Sequence, residues 1–153
     1  MEAKIAQPIF IQPEGGKLLN VLGEMITCKV SSEDTNGSYS IIEEISPPGG
    51  GPPPHIHYKT DEIFYILDGK YEIQCGDKTH IATSGSLAVL PKGVAHTVRN
   101  VGEGPGKVLV FITPGGLDHF FEEIDALSEK KDIDPSKVLE TAKRYDVDFT
   151  PTS

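Results

Sequence analysis

The chain has 153 residues, the length of one ordinary domain with a core of its own and no need of disulfide staples. Apolar residues make up 37% and charged residues 24%, a globular balance that excludes a disordered or fibrous chain. The formal charge of −9, from 14 Lys+Arg against 23 Asp+Glu with no basic run, argues against nucleic acid and anionic membrane surfaces as partners.

The chain begins Met-Glu-Ala-Lys-Ile-Ala-Gln-Pro, without the apolar run of a signal peptide, and nothing later approaches a membrane span, so the expected address is the cytoplasm. From about Ile5 to Thr113 short β-branched and aromatic runs alternate with Gly, Pro, Asn and Asp. They predict strands over residues 9–12, 17–22, 26–31, 38–44, 62–67, 71–75, 87–90, 96–100 and 108–113, with a further polar strand through His80. Sixteen glycines and twelve prolines fit the many tight turns of an all-β fold. Asp68-Gly69 predicts a two-residue hairpin turn. Cys28 and Cys75 have no second cysteine at ligand or redox spacing and read as reduced strand thiols. After Pro114, Leu117, Phe120, Phe121, Ile124 and Leu127 recur at helical spacing, and a second helix starts at Asp134-Pro135, an N-cap followed by proline. Residues 115–146 thus read as a short helical tail on a single β domain spanning 1–153.

Chemistry concentrates in two segments. His55 and His57 are two apart, so on a strand both rings leave the same face. On one continuous strand Glu62 would lie roughly 16 Å from His57; if the chain doubles back through residues 58–61, its carboxylate reaches the imidazoles. Pro91-Lys92-Gly93 is a strong turn that redirects the chain into residues 96–100, and His96 supplies a fourth donor. Three imidazoles and a carboxylate suit one divalent transition metal: Fe, Ni, Co, Mn, Cu or Zn. No separate organic cofactor site is expected.

The first segment reads G-x5-H-x-H-x4-E-x6-G through Gly49, His55, His57, Glu62 and Gly69. The second reads G-x5-P-x-G-x2-H-x3-N through Gly85, Pro91, Gly93, His96 and Asn100. Both patterns are complete, and the chain resembles the cupins. The short separation, residues 70–84, resembles that of small microbial single-domain cupins, and the helical tail resembles those likened to quercetin dioxygenase. The resemblance implies an all-β, jelly-roll-like barrel with a short C-terminal helical extension. It implies His55, His57, Glu62 and His96 as metal ligands, Asn100 as a structural hydrogen-bonder, and pairing of two barrels into a homodimer.

The remaining candidates read blandly. His80 and His119 read as solvated, Phe120 and Phe121 as core, and Glu43-Glu44 and Glu122-Glu123 as solvated faces; Arg99 stands between a substrate-facing and a surface position. Two functions of different class remain open. One is a metal-dependent dioxygenase acting on a small aromatic or flavonol-like molecule, in which Glu62 is the general base. The alternative is a non-catalytic cupin that binds metal or a small ligand, with a metal-dependent isomerase or decarboxylase between the two.

Overall fold

The computed structural model describes residues 7–150; Ile5 and Ala6, at the start of the predicted strand-rich region, lie outside them. In chain order the elements are β1 (Lys17–Val21), β2 (Glu24–Val30), a 3-10 turn (Glu33–Thr35), β3 (Ser40–Ser46), β4 (His55–His57), β5 (Asp61–Asp68), β6 (Lys70–Cys75), β7 (Lys78–Thr83), β8 (Leu87–Leu90), β9 (His96–Asn100) and β10 (Gly106–Thr113). Two helices follow, α1 (Leu117–Ser128) and α2 (Pro135–Arg144), and then β11 (Val147–Phe149).

The strands form two antiparallel sheets, ordered β1-β2-β3-β10-β5-β8 and β11-β4-β9-β6-β7. This is the jelly-roll arrangement of the cupins. Among the described residues no ladder joins the two sheets, so the implied barrel is in fact two packed sheets. Each strand alternates between the interior and the outside, as a pleated strand must. On β10 every second residue faces inward, and Val108, Val110 and Ile112 are fully buried. They meet Ile42, Phe64 and Ile66 from the same sheet and Tyr71, Ile73 and Val98 from the other in one core. Leu117, Phe120, Phe121 and Ile124 of α1 and Val138 and Ala142 of α2 join that core from outside the sheets. As its sequence predicts, α2 starts with the Asp134 side chain accepting from the Ser136 N–H and Pro135 in the first turn.

Three expectations need correction. Residues 9–12 form no strand: Ile9, Phe10 and Ile11 are exposed, and among the described residues no strand pairs with them. β11 was not expected at all, because three residues after a helix carry too little periodicity to register. Asp68-Gly69 makes no hairpin: β5 pairs with β10 and β8, whereas β6 pairs with β9 and β7. The chain instead turns a corner at Gly69 from one sheet to the other. Gly69 has φ +97°, and a Cβ there would stand 2.9 Å from Gly106 Cα, so glycine is required by both backbone and space.

Asn100 ties the corners together. It is fully buried; its Nδ2 donates to the Ser46 and Gly104 carbonyls, and its Oδ1 accepts from Gly102 N–H, all at 2.9 Å. Beside it, Gly51 has φ +136°, and any Cβ there would run into the Val98 carbonyl. Asn100→Ala leaves these loop groups without partners and is expected to lower stability by about 3 kcal/mol, read from the urea unfolding midpoint.

Candidate metal centre

The alternation of three strands sends four donors into the interior. His55 and His57 are the inward residues of β4, His96 begins the inward row of β9, and Glu62 heads the inward row Glu62, Phe64, Ile66 of β5. β4 and β9 are neighbours, with His55 opposite His96. The doubling back expected after His57 is a crossing between sheets, so Glu62 faces the imidazoles across the interior rather than beside them. The turn at Pro91–Gly93 locks this crossing: Gly93 N–H donates to the His57 carbonyl at 2.8 Å, and Lys92 N–H donates to Asp61 Oδ1 at 2.8 Å.

All four side chains are buried, and their donor atoms lie within 4.8 Å of one another. His55 Nε2 is 3.1 Å from His57 Nε2, His96 Nε2 is 3.1 Å from Glu62 Oε2, and His57 Nε2 is 3.3 Å from the same oxygen. Behind the cluster, His55 Nδ1 donates to the Pro53 carbonyl (2.9 Å) and His96 Nδ1 to the Val94 carbonyl (3.2 Å). With those nitrogens held by carbonyls, both Nε2 atoms point at the centre, the orientation a metal-binding histidine needs. Donor atoms at these spacings are what bonds of about 2.1 Å to one ion impose. The set therefore fits a divalent metal ion, which these four residues could hold.

Electrostatics agree. Burial, reinforced by the charges of His57 and His96, pushes His55 down to about 4. Burial alone would raise Glu62, but the charge and hydrogen bond of His57, and then those of His96, hold its carboxyl well below the usual range. A neutral His55 and an ionised Glu62 are protonation states that bind metal.

The quartet forms one wall of a cavity of about 180 Å³. The rest is largely apolar: Ile26, Phe64, Val98, Phe120, Phe121 and Phe149 are among the lining residues. Phe120 and Phe121 are thus both core and cavity wall. Among the described residues no Lys or Arg lines the cavity, but Glu24 and Glu44 do. This corrects the reading of Glu43-Glu44 as a solvated pair: Glu43 faces outward to Lys107 (3.2 Å), whereas Glu44 shares the inward face of Ser40, Ile42 and Ser46. Burial, then the charges of Glu24 and Glu62, push Glu44 up to about 8. The strict alternation from Ile42 was the available signal, blurred by Ile41 beside it.

The other candidates separate cleanly. His80 is exposed on β7, and Arg99 is a surface residue 3.6 Å from Glu72. His119 does not stand alone: its Nε2 is 3.3 Å from Ser32 Oγ, and it clusters with Asp118 and Glu122. Both oxygens of Asp118 are already engaged, by Ser32 and by Gly116 N–H, and Glu122 pairs with Lys17. Glu123 pairs with Arg144, and Cys28 and Cys75 are free thiols.

Comparison with known proteins agrees with this geometry. The family model described as "Cupin domain" matches residues 42–112, the stretch that carries all four donors. Residues 42–112 therefore form a cupin domain. This cupin is 39% identical over 67 residues to germin-like protein 1-1 of Oryza sativa subsp. japonica, covering 40% of this chain and 31% of that one. It spans about a third to a half of the length of the curated relatives it matches first. Among solved structures it superposes on KdgF from Halomonas sp. with a TM-score of 0.64 and 19% identity, covering 74% of this chain and 98% of that one. A predicted oxalate decarboxylase from Thermotoga maritima gives a TM-score of 0.62 and 21% identity, covering 69% and 99%. These structural likenesses show the fold. No helix among the described residues is long and apolar enough to cross a membrane.

The titrations set opposite pH trends in metal-stripped protein. Glu44 keeps its proton in the folded state up to about 8, against 4.5 when unfolded, so stability rises as pH falls from 8 towards 6.5. His55 stays neutral in the folded state down to about 4, against 6.5, so its contribution is full above 6.5 and is lost below it. Urea unfolding across this range should show stability increasing from about pH 8 to about pH 6.5 in the wild type. In Glu44→Gln that increase should be absent, leaving a decline below 6.5.

Proposed function

We propose that this cupin is a metal-dependent dioxygenase of a small hydroxylated aromatic or enol, with His55, His57, Glu62 and His96 as the metal ligands. The observation that carries this reading is the placement of four buried donors on the wall of an apolar, phenylalanine-lined cavity that, among the described residues, has no lysine or arginine. A dicarboxylate or a sugar phosphate needs a cation beside the metal to offset its charge, and Glu24 and Glu44 repel it. A hydroxylated ring fits both the polarity and the volume. At about 180 Å³ the cavity is close to one that takes a benzene ring, roughly 150 Å³, so a three-ring flavonol must extend through the mouth.

A bound divalent ion would supply Lewis acidity towards a substrate oxygen and, if redox-active, electron exchange with dioxygen. The chain supplies the rest. Phe64, Phe120, Phe121 and Phe149 hold the ring and exclude water. His57 and His96 both approach Glu62 Oε2, which leaves Oε1 to accept the substrate hydroxyl proton. A second reading, a metal-dependent isomerase, is favoured by one observation: Glu62 and Glu44 face one cavity with pKa values pushed in opposite directions, the pattern of an acid–base pair.

Protein purified without chelator should carry one equivalent of a redox-active divalent metal, lost in His96→Ala. An oxygen electrode with phenols and catechols should register uptake that Glu62→Gln abolishes while most of the metal is retained. Uptake unchanged in Glu62→Gln removes Glu62 as the base, and turnover without oxygen consumption selects the isomerase.

The protein's second expected partner is another copy of itself. On the outer face of the first sheet Tyr65 lies opposite Leu87 and Ile63 opposite Val89, and Tyr65, Leu67, Leu87 and Val89 are exposed beside the open edge of β8. An apolar face at an open strand edge is a surface that a second sheet covers. Sedimentation at micromolar concentration should give a dimer that Leu87→Glu with Val89→Lys converts to monomer; a monomeric wild type removes the pairing.

A further inference from the structure

The cavity contains a second polar feature that the metal quartet does not use. Glu24 opens the inward face of β2, and Ile26, two residues on, lies opposite Glu44 of β3. The two carboxyls are therefore diagonal neighbours on one face, within side-chain reach. Glu24 is nine-tenths buried, and its Oε2 has no hydrogen-bond partner. Its Oε1 occupies space left by Gly50, where a Cβ would stand 2.6 Å away. Both residues line the same cavity as the quartet. They are nevertheless set apart from it. Glu44 lies opposite Val108, itself opposite Ile66, whereas Glu62 lies opposite Ile112. The backbones of Glu44 and Glu62 are thus separated by two strand spacings, roughly 10 Å, and four residues along the strand, roughly 13 Å.

We propose that Glu24 and Glu44 form a second recognition station in this cavity, which binds a hydroxyl group of the same ring-sized molecule whose other oxygen faces the metal quartet. The inference rests on the proposed substrate class and deepens it: the preferred ligand is a ring with two separated oxygens, not a simple phenol. A buried carboxyl oxygen without a partner is costly, and a ligand hydroxyl supplies the missing donor. Two carboxyls side by side in an apolar wall disfavour a second charge, and Glu44 is the one raised, to about 8. Burial and the neighbouring charges on Glu24 and Glu62 raise Glu44 accordingly. With one proton between them, the two groups can both donate to and accept from a hydroxyl. Among the described residues, no side chain lining the cavity apart from these two and the quartet offers a hydrogen bond. A site built to bond a hydroxyl discriminates strongly against the analogue that lacks it.

The test compares zinc-loaded wild type, Glu24→Gln and Glu44→Gln, which takes turnover out of the measurement. Calorimetry with phenol, resorcinol and hydroquinone should show one diphenol bound at least roughly tenfold more tightly than phenol by the wild type. Both variants should lose that preference and keep their phenol affinity within about twofold. Infrared spectra of ligand-free wild type at neutral pH should contain a protonated-carboxyl band that disappears in Glu44→Gln and shifts in Glu24→Gln. Two variants are used so that one decides the matter if the other fails to fold. No diphenol preference in the wild type, or a preference retained in a folded variant, overturns the station. A second equivalent of zinc lost in both variants also overturns it, by making the pair a cation site. If none of the three ligands binds, the ring-sized substrate class of the proposed function fails. The infrared band then decides the pair alone: its presence, with the shift in Glu24→Gln, upholds a protonated Glu44 beside Glu24, and its absence overturns it.

Discussion

An ionised carboxylate buried inside a β-sandwich is the constraint on which the rest of this structure depends. Glu62 sits in the interior at a cost that only opposite charge and hydrogen bonds can offset. His57 and His96 provide both, each within 3.3 Å of Oε2. Those imidazoles must come from the other sheet, because Phe64 and Ile66, the next inward residues on β5, belong to the apolar core. The crossing between His57 and Asp61, held by the hydrogen bonds of Lys92 and Gly93, is therefore the feature that creates the site. The sandwich carries it there, and the Nδ1 hydrogen bonds to the Pro53 and Val94 carbonyls aim the rings.

The C-terminal elements turn this buried cluster into a cavity. β11 pairs with β4 along the edge that carries His55 and His57, with Phe149 opposite His55 and their ring centroids 5.9 Å apart. α1 and α2 bring Phe120, Phe121, Ile124 and Val138 to the cavity wall. An apolar wall raises the strength of every charge it encloses, so the same packing that completes the core keeps His55 neutral and Glu44 protonated near neutral pH. Packing and protonation are one design here, and the absence of lysine and arginine from the lining among the described residues leaves the acidic side chains to set its polarity.

How far the sequence could be read depended on the range of the signal. The strands of residues 87–90 and 96–100 match β8 and β9 end to end, since alternation within a few residues carries its own evidence. The four donors were legible because two complete motifs spaced them. Asp68-Gly69 misled because a turn dipeptide fixes a local bend and not the strand that the chain meets afterwards. Glu44 was overlooked because Ile41 and Ile42 are both apolar, so the strand could be placed in either phase; the outward pairing of Glu43 with Lys107 resolves it. β11 is too short to show a period, and it exists because the open edge of β4 offers it a ladder.

By itself, then, the sequence determined the cupin resemblance, the all-β class with its helical tail, and which four residues could together hold a metal ion, since these follow from residue type and short spacing. Tertiary structure alone decided that the sheets pack without closing, that Glu62 faces the histidines across the interior, and that Glu24 and Glu44 join them in one cavity. The physical reason is that a strand's period fixes which residues share a face, whereas the pairing of faces depends on contacts between residues far apart in the chain. Glu44 and Glu62 are two strand spacings apart in one sheet, with β10 between them, and only the folded ladder brings them to the same cavity.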